Sequence, residues 1–360
     1  MFIVRSSTFV WEDDNDDVRA SVALGAGDAA GRADALAAAN ALVETVHDTL
    51  GVPRSSQLPM ALSTLSDADC GRHQHQRRWK GLRIGKPLAA ASSDPGMALD
   101  GQYWHYLDKW MFALARLAVE EGSESPQGQR VICRALGLIR DVHDHFVEHD
   151  ARTGNPLGVR WKVNMDASPI KGMPATRPSS DAVSGLVAYT AVATAAKALG
   201  CTGGIESELR DMKGIVVAMN PAVSSDPLGW GLQCWEAQWL RRNHSWPFAS
   251  PWGQYANHLT DPSAFERTTV MRHVGEIPFR MYGSWLGARV CGEMTLADAA
   301  TRLARDAARA ELRAVAMESR DSDDVEENGL TAINRVMLAS ALDPIAFCRR
   351  QDEPDIFSVV

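Results

Sequence analysis

Residues 100–121 read DGQYWHYLDKWMFALARLAVEE. At about 3.6 residues per turn, Tyr103, Leu107, Trp110, Met111, Leu114 and Leu117 share one face, and Gln102, His105, Lys109 and Arg116 share the other. The spacing predicts an amphipathic helix that Asp100 caps and that ends near Glu121. The same period recurs along the chain. A helix is expected over 35–50, stopped by Gly51 and Pro53. Ser125 and Pro126 open another that runs to about His149. Asp181 caps a third, to about Leu199, and a fourth covers roughly 205–219. Asp226, with Pro227 at the first helical position, starts the next. Further helices fit 263–275, 277–291, 295–317 (capped by Thr295) and 329–341.

Credible strands are almost absent from this pattern, so the chain reads as an all-α protein. Helices of 15–20 residues joined by short turns read as antiparallel hairpins. No repeat of about 33–47 residues marks a solenoid. The segment 151–180 is rich in Pro, Gly, Ser and Asn and too long for a simple connector, which points to an ordered functional loop. Residues 1–30, with an acidic run and a Gly/Ala tract, read as a weakly ordered lead-in. One domain is expected over 31–350, followed by a tail at 351–360.

Composition narrows the classes. The chain has 360 residues, 45% of them hydrophobic and 23% charged, ample for a buried core. A net charge of −8 excludes the basic field of a duplex nucleic-acid binder. No apolar run of about 18 residues predicts a membrane span, and the N-terminal stretch lacks a secretory-signal pattern. The six cysteines form no C-x-x-C pair. They read as reduced thiols, and the expected compartment is cytoplasmic.

Three stretches carry candidate chemistry. The first is the opening stripe, where Trp104 and Tyr106 flank Gln102, His105 and Lys109. Aromatic faces beside amide and imidazole groups suit a sugar, whose C–H patches stack on rings while its hydroxyls accept and donate hydrogen bonds. The second is GVRWKVNMDASP at 158–169, where alternation puts Lys162, Asn164 and Asp166 on one side and Trp161, Val163 and Met165 on the other. The third is DVHDHFVEHD at 141–150, where Asp141, His145 and His149 are one helical turn apart and His143 lies nearby. It lacks the H-E-x-x-H pattern and a second ligand cluster, so no metal is expected. Phosphate-loop, dinucleotide and nucleophile-elbow patterns are also missing, and no cofactor is expected. DSDD at 321–324 sits in too polar a run for a terpene-cyclase acid motif.

The stretches GLRIGKP (81–87), DGQYWHYLDKWMFAL (100–114), RWKVNMDASP (160–169), SSDPLGWG (224–231) and INRVMLASALDP (333–344) together resemble a bacterial group among the six-hairpin glycosidase-like proteins. The resemblance spans about residues 40–350 and implies an (α/α)6 toroid of about twelve helices. It departs from the group after Asp166, where ASPIKGMPATRPSSD replaces a polar run. In such a ring the stripe of the first stretch faces a central funnel, and 160–169 closes over its mouth.

The resemblance makes a carbohydrate-active enzyme the leading expectation. A glycoside hydrolase would use two carboxylates, about 5–5.5 Å apart for retention and roughly 6.5–9.5 Å for inversion. The expected catalytic groups are Asp100, Asp166 and His105, with Asp181 and Glu236 as substitute carboxylates. The expected substrate contacts are Gln102, Tyr103, Trp104, Lys109, Trp161, Lys162, Asn164 and Asp181. Two alternatives use the same fold: a saccharide-binding pseudoenzyme, and a sugar epimerase or isomerase leaning on His105 for proton transfer. The expected partner is a small-molecule or oligosaccharide ligand, with neither nucleic acid nor membrane.

Overall fold

The structure is a computed structural model. It describes residues 29–51, 81–84, 100–170, 180–201, 204–240, 251–261 and 278–291, with a few positions between 301 and 348. The chain divides into two compact units, Met1–Met219 with Ile356–Val360, and Asn220–Asp355. The first contains α1 (Ala29–Leu50), β1 (Gln102–Tyr103), α2 (Trp104–Glu121), α3 (Pro126–Phe146), β2 (Val147–His149), β3 (Pro156–Val159), β4 (Lys162–Val163), α4 (Ser180–Ala198) and α5 (Glu206–Val217). The second contains α6 (Pro227–Leu240), α7 (Pro251–Thr260) and α8 (Pro278–Cys291). Among the described residues the protein is therefore mostly helical. No described helix is long and apolar enough to cross a membrane. The helices expected at 263–275 and 295–317, and most of the one at 329–341, lie outside the described residues.

Helix starts follow the local chemistry where a cap is present. Ser125 accepts from the Gly128 N–H at 3.3 Å with Pro126 behind it, and Asp226 Oδ2 accepts from the Gly229 N–H at 2.8 Å. Both satisfy a donor that the first turn leaves free. Asp100 does not cap α2. The strand β1 intervenes, the helix starts at Trp104, and its N-cap Tyr103 offers no side-chain bond. The helix expected to reach His149 ends at Phe146, where the chain turns extended and forms β2.

The strands are short and local. β1 pairs antiparallel with β4, Gln102 opposite Val163 and Tyr103 opposite Lys162. β2 pairs with β3, with an irregularity between Glu148 and His149. These two ribbons fix the ends of α2 and α3.

In the first unit, α2 packs on α3 and α4, and α4 packs on α5. The helix α4 is buried nearly all round from Ala182 to Val192, as expected of a helix apolar on every side. Trp104 is completely buried against it. A Cβ on Gly185 would lie 2.6 Å from the Trp104 ring, so the missing side chain makes the seat for the indole.

Cys133 is disulfide-bonded, which corrects the expectation of six free thiols. Cys201, Cys234, Cys291 and Cys348 are free, and Cys70 lies outside the described residues.

In the second unit α6 and α8 cross at glycines. A methyl on Gly287 would collide with the backbone of Gly231, and one on Gly231 with the carbonyl of Gly283. Ser284 Oγ donates to the Pro227 carbonyl at 2.7 Å beside this crossing. Gly287→Ala is therefore expected to lower stability by roughly 1–3 kcal/mol through overpacking, although alanine is the better helix former. Denaturant unfolding followed at the tryptophans checks it.

Candidate functional site

The β1–β4 pairing builds an aromatic stack at the start of α2. Tyr103 lies parallel to Trp161, ring centroids 5.3 Å apart, and to His105 at 5.8 Å. Tyr106 packs on His105 at 4.4 Å. The ammonium of Lys162 sits 5.0 Å from the Tyr103 centroid, a cation–π contact. Tyr103 and Lys162 are buried, Trp161 and Tyr106 are half-buried, and His105 is exposed. His105 remains reachable by solvent in a crowded setting. Desolvation by the protein packed around the ring, reinforced by Lys109, lowers its pKa to about 3 although an edge of the ring meets solvent, so the imidazole is neutral at physiological pH.

Beside the stack, 164–168 forms a tight turn. Asn164 N–H donates to the Ser168 carbonyl at 2.9 Å, and its amide nitrogen donates to Ser168 Oγ at 3.0 Å. Asp166 Oδ1 accepts from the Ser168 hydroxyl at 2.6 Å and its N–H at 3.0 Å, and these bonds hold the carboxyl below its ordinary pKa. Ala167 has φ 65°, a left-handed conformation that costs a non-glycine residue energy. The turn breaks the alternation expected over 161–166. Lys162 is buried under Tyr103, whereas Asn164 and Asp166 are exposed on the turn.

One helical turn into α2 lies a polar network that helix periodicity reveals only in part. Both Asp108 oxygens accept from Lys109 Nζ at 3.1 Å, and the same ammonium donates to Ser184 Oγ on α4 at 3.0 Å. Asp108 is fully enclosed, while Lys109 keeps 17% exposure. Burial is the main cause that raises the Asp108 pKa to about 7; Lys109 opposes it, and Asp181 adds to it. The signal for Asp108 was a carboxylate with Trp104, Met111 and Phe112 three or four positions away, on the face that had to be buried.

Other expected site residues have structural roles. Asp100 is enclosed and paired with Arg83 Nη1 at 3.2 Å, and it accepts from the Gly101 N–H at 2.9 Å. Arg83 also donates to the Thr49 carbonyl at 2.8 Å. Gln102 is buried and donates to the Met165 carbonyl at 3.2 Å. Trp104 spends its indole N–H on the Asp181 carbonyl at 2.8 Å. Arg116 lies buried over Phe112, 4.7 Å from the ring centroid. The stripe on α2 is thus largely interior rather than a wet wall. Glu236 is buried on α6 in the second unit. The structure brings Tyr103, His105, Trp161 and Lys162 together, and Lys109 with Ser184, but does not join Asp100 to Asp166 by any contact among the described residues.

A separate cluster joins α3, β2 and α5. His143 Nε2 and His149 Nε2 lie 3.2 and 2.8 Å from the same oxygen, Asp211 Oδ2. His143 Nδ1 is 3.2 Å from the Tyr189 hydroxyl on α4. The one-face arrangement of Asp141, His145 and His149 fails because α3 ends before His149. Compared with protein-family models, curated proteins and solved structures, the chain matches none.

Two substitutions separate an enclosed carboxylate from an open one. Asp100→Ala leaves a buried guanidinium without its carboxylate and is expected to cost roughly 3–5 kcal/mol. Asp166→Ala, on an exposed turn, is expected to cost about 1 kcal/mol or less, and urea unfolding compares the two.

A further prediction concerns pH. Between 3.8 and about 7 the folded chain keeps a proton on Asp108 that the unfolded chain releases. That stabilisation is complete below the lower value and disappears as pH rises through the upper one. The stability of the wild type relative to Asp108→Asn should therefore fall from about pH 4 to about pH 8. A difference independent of pH would contradict the assignment. His105 works in the opposite sense, losing stability as pH drops from 6.5 towards about 3.

Proposed function

We propose that this protein binds a saccharide against the aromatic stack at the start of α2. The observation that carries this reading is the stack itself. Tyr103 is held flat against Trp161 and His105. Trp161, Tyr106 and His105 remain reachable beside the exposed groups of Asn164 and Asp166. Such a surface pairs apolar ring area with hydrogen-bonding groups, the combination that a polyol needs. The finer architecture belongs to the same proposal: an (α/α)6 toroid of about twelve helices, supported by the helical hairpins α2–α3 and α4–α5.

Among enzymatic readings, proton transfer at a sugar carbon by His105 has a specific observation in its favour. The imidazole is exposed beside the stack; its pKa of about 3 keeps it neutral and makes it a weak base. Glycoside hydrolysis by Asp100 and Asp166 has less support, because Asp100 is enclosed and bound to Arg83. Asp108 has the raised pKa of a general acid but no exposed surface.

Calorimetry against a panel of mono- and oligosaccharides tests the proposal. Trp161→Ala is expected to weaken binding by about 2- to 12-fold, the loss of one aromatic contact. Unchanged affinity in that variant would sink the stack as the binding surface. Interconversion of free sugars that His105→Ala abolishes while binding persists supports the proton-transfer reading; binding without turnover leaves a saccharide-binding protein.

A further inference from the structure

We propose that His143, His149 and Asp211 bind one divalent first-row transition-metal ion, with Tyr189 orienting His143 from behind. Three elements converge to make the cluster: the last turn of α3, the strand β2 and the middle of α5. His149 and Asp211 are 62 residues apart, so the tertiary fold creates the set.

The donor chemistry selects the ion. Two imidazole nitrogens and one carboxylate oxygen suit Zn²⁺, Fe²⁺ or Co²⁺, whereas Mg²⁺ and Ca²⁺ prefer all-oxygen sites. All three donor atoms lie within 4.8 Å of one another. With bonds of about 2.1 Å, ligands around one metal are separated by about 3.0 Å in an octahedron and about 3.4 Å in a tetrahedron. The His143–Asp211 separation of 3.2 Å falls between those edges, and the His149–Asp211 separation of 2.8 Å is slightly shorter than both. The two imidazoles also point at one oxygen atom. Each has its Nε2 inward, which is the disposition left when a central ion is replaced by two N–H bonds.

The independent observation is Tyr189. It is completely buried, and its hydroxyl meets the remaining nitrogen of His143. A hydroxyl donates to Nδ1 when His143 carries its proton on Nε2. It accepts from Nδ1–H when Nε2 is bare and free to coordinate. This contact fits both states, and it is the kind of outer bond that metal-bound histidines make. The surroundings add negative potential: Asp211, Glu208 and Asp144 all act to favour a positive charge at His143.

His149 and Asp211 are 32% and 30% exposed and His143 is 3% exposed. Three protein ligands with an open side leave positions for water or a substrate group, unlike a closed four-ligand structural site.

The test uses the full chain, stripped with a chelator and titrated with Zn²⁺ by calorimetry and with Co²⁺ by visible absorbance. We expect one ion per chain, a Co²⁺ d–d band, and a rise in melting temperature on Zn²⁺ addition. Asp211→Asn and His149→Ala should abolish the band, and Tyr189→Phe should weaken Zn²⁺ binding by roughly 10- to 100-fold. Absence of binding, or full retention of affinity in folded Asp211→Asn and His149→Ala, would overturn the proposal. Ring resonances of His143 and His149 in the wild type provide a check that needs no variant: Zn²⁺-induced shifts support the site, and their absence sinks it.

Discussion

The first unit depends on the burial of Trp104. Its indole enters the space that Gly185 leaves on α4, meets Phe146 at 5.2 Å and Tyr189 at 6.1 Å, and donates to the Asp181 carbonyl. This one side chain therefore locks the first turn of α2 to the first turns of α4 and the last residue of α3. A buried aromatic of this size contributes several kilocalories, and its single polar atom is satisfied, so nothing opposes the gain. Ser184 stands next to Gly185, and Tyr189 stands one turn further on. The contacts Lys109–Ser184 and His143–Tyr189 follow from the same docking of α2 and α3 on α4.

Buried charge is handled in two ways. Asp100 and Arg83 form an enclosed pair that also bonds to backbone groups, so both ions stay compensated. Asp108 is compensated by Lys109 and also lies near Asp181, and burial prevails enough to bring its titration to about 7. The first arrangement ties the segment near Arg83 to β1. The second leaves a carboxyl that titrates near neutrality enclosed between α2 and α4.

The helix starts at Ser125–Pro126 and Asp226–Pro227 were legible in the sequence because capping is a contact within one turn. Asp100 looked like a third cap and is not one, since its carboxylate finds Arg83 and the two residues after Gly101 pair with Val163 and Lys162. The alternation assigned to 161–166 failed after Val163, where β4 ends and 164–168 folds into a turn with Ala167 in a left-handed backbone. The aromatic members of the stack were singled out in two separate stretches, Tyr103 and Tyr106 in the first and Trp161 in the second, and only the structure stacks them. Their mutual contacts, which bury Tyr103 and leave His105 open, depend on a register that periodicity does not reveal.

The sequence by itself determined that this chain is built mainly of helices, because apolar period and caps act over three or four residues. It also supplied the aromatic and polar groups of the stack. Only the tertiary structure decided which charges would be enclosed, that α3 would stop at Phe146, and that His143 and His149 would meet Asp211. Those outcomes are set by which surfaces exclude water when distant segments pack, and no local spacing encodes that choice.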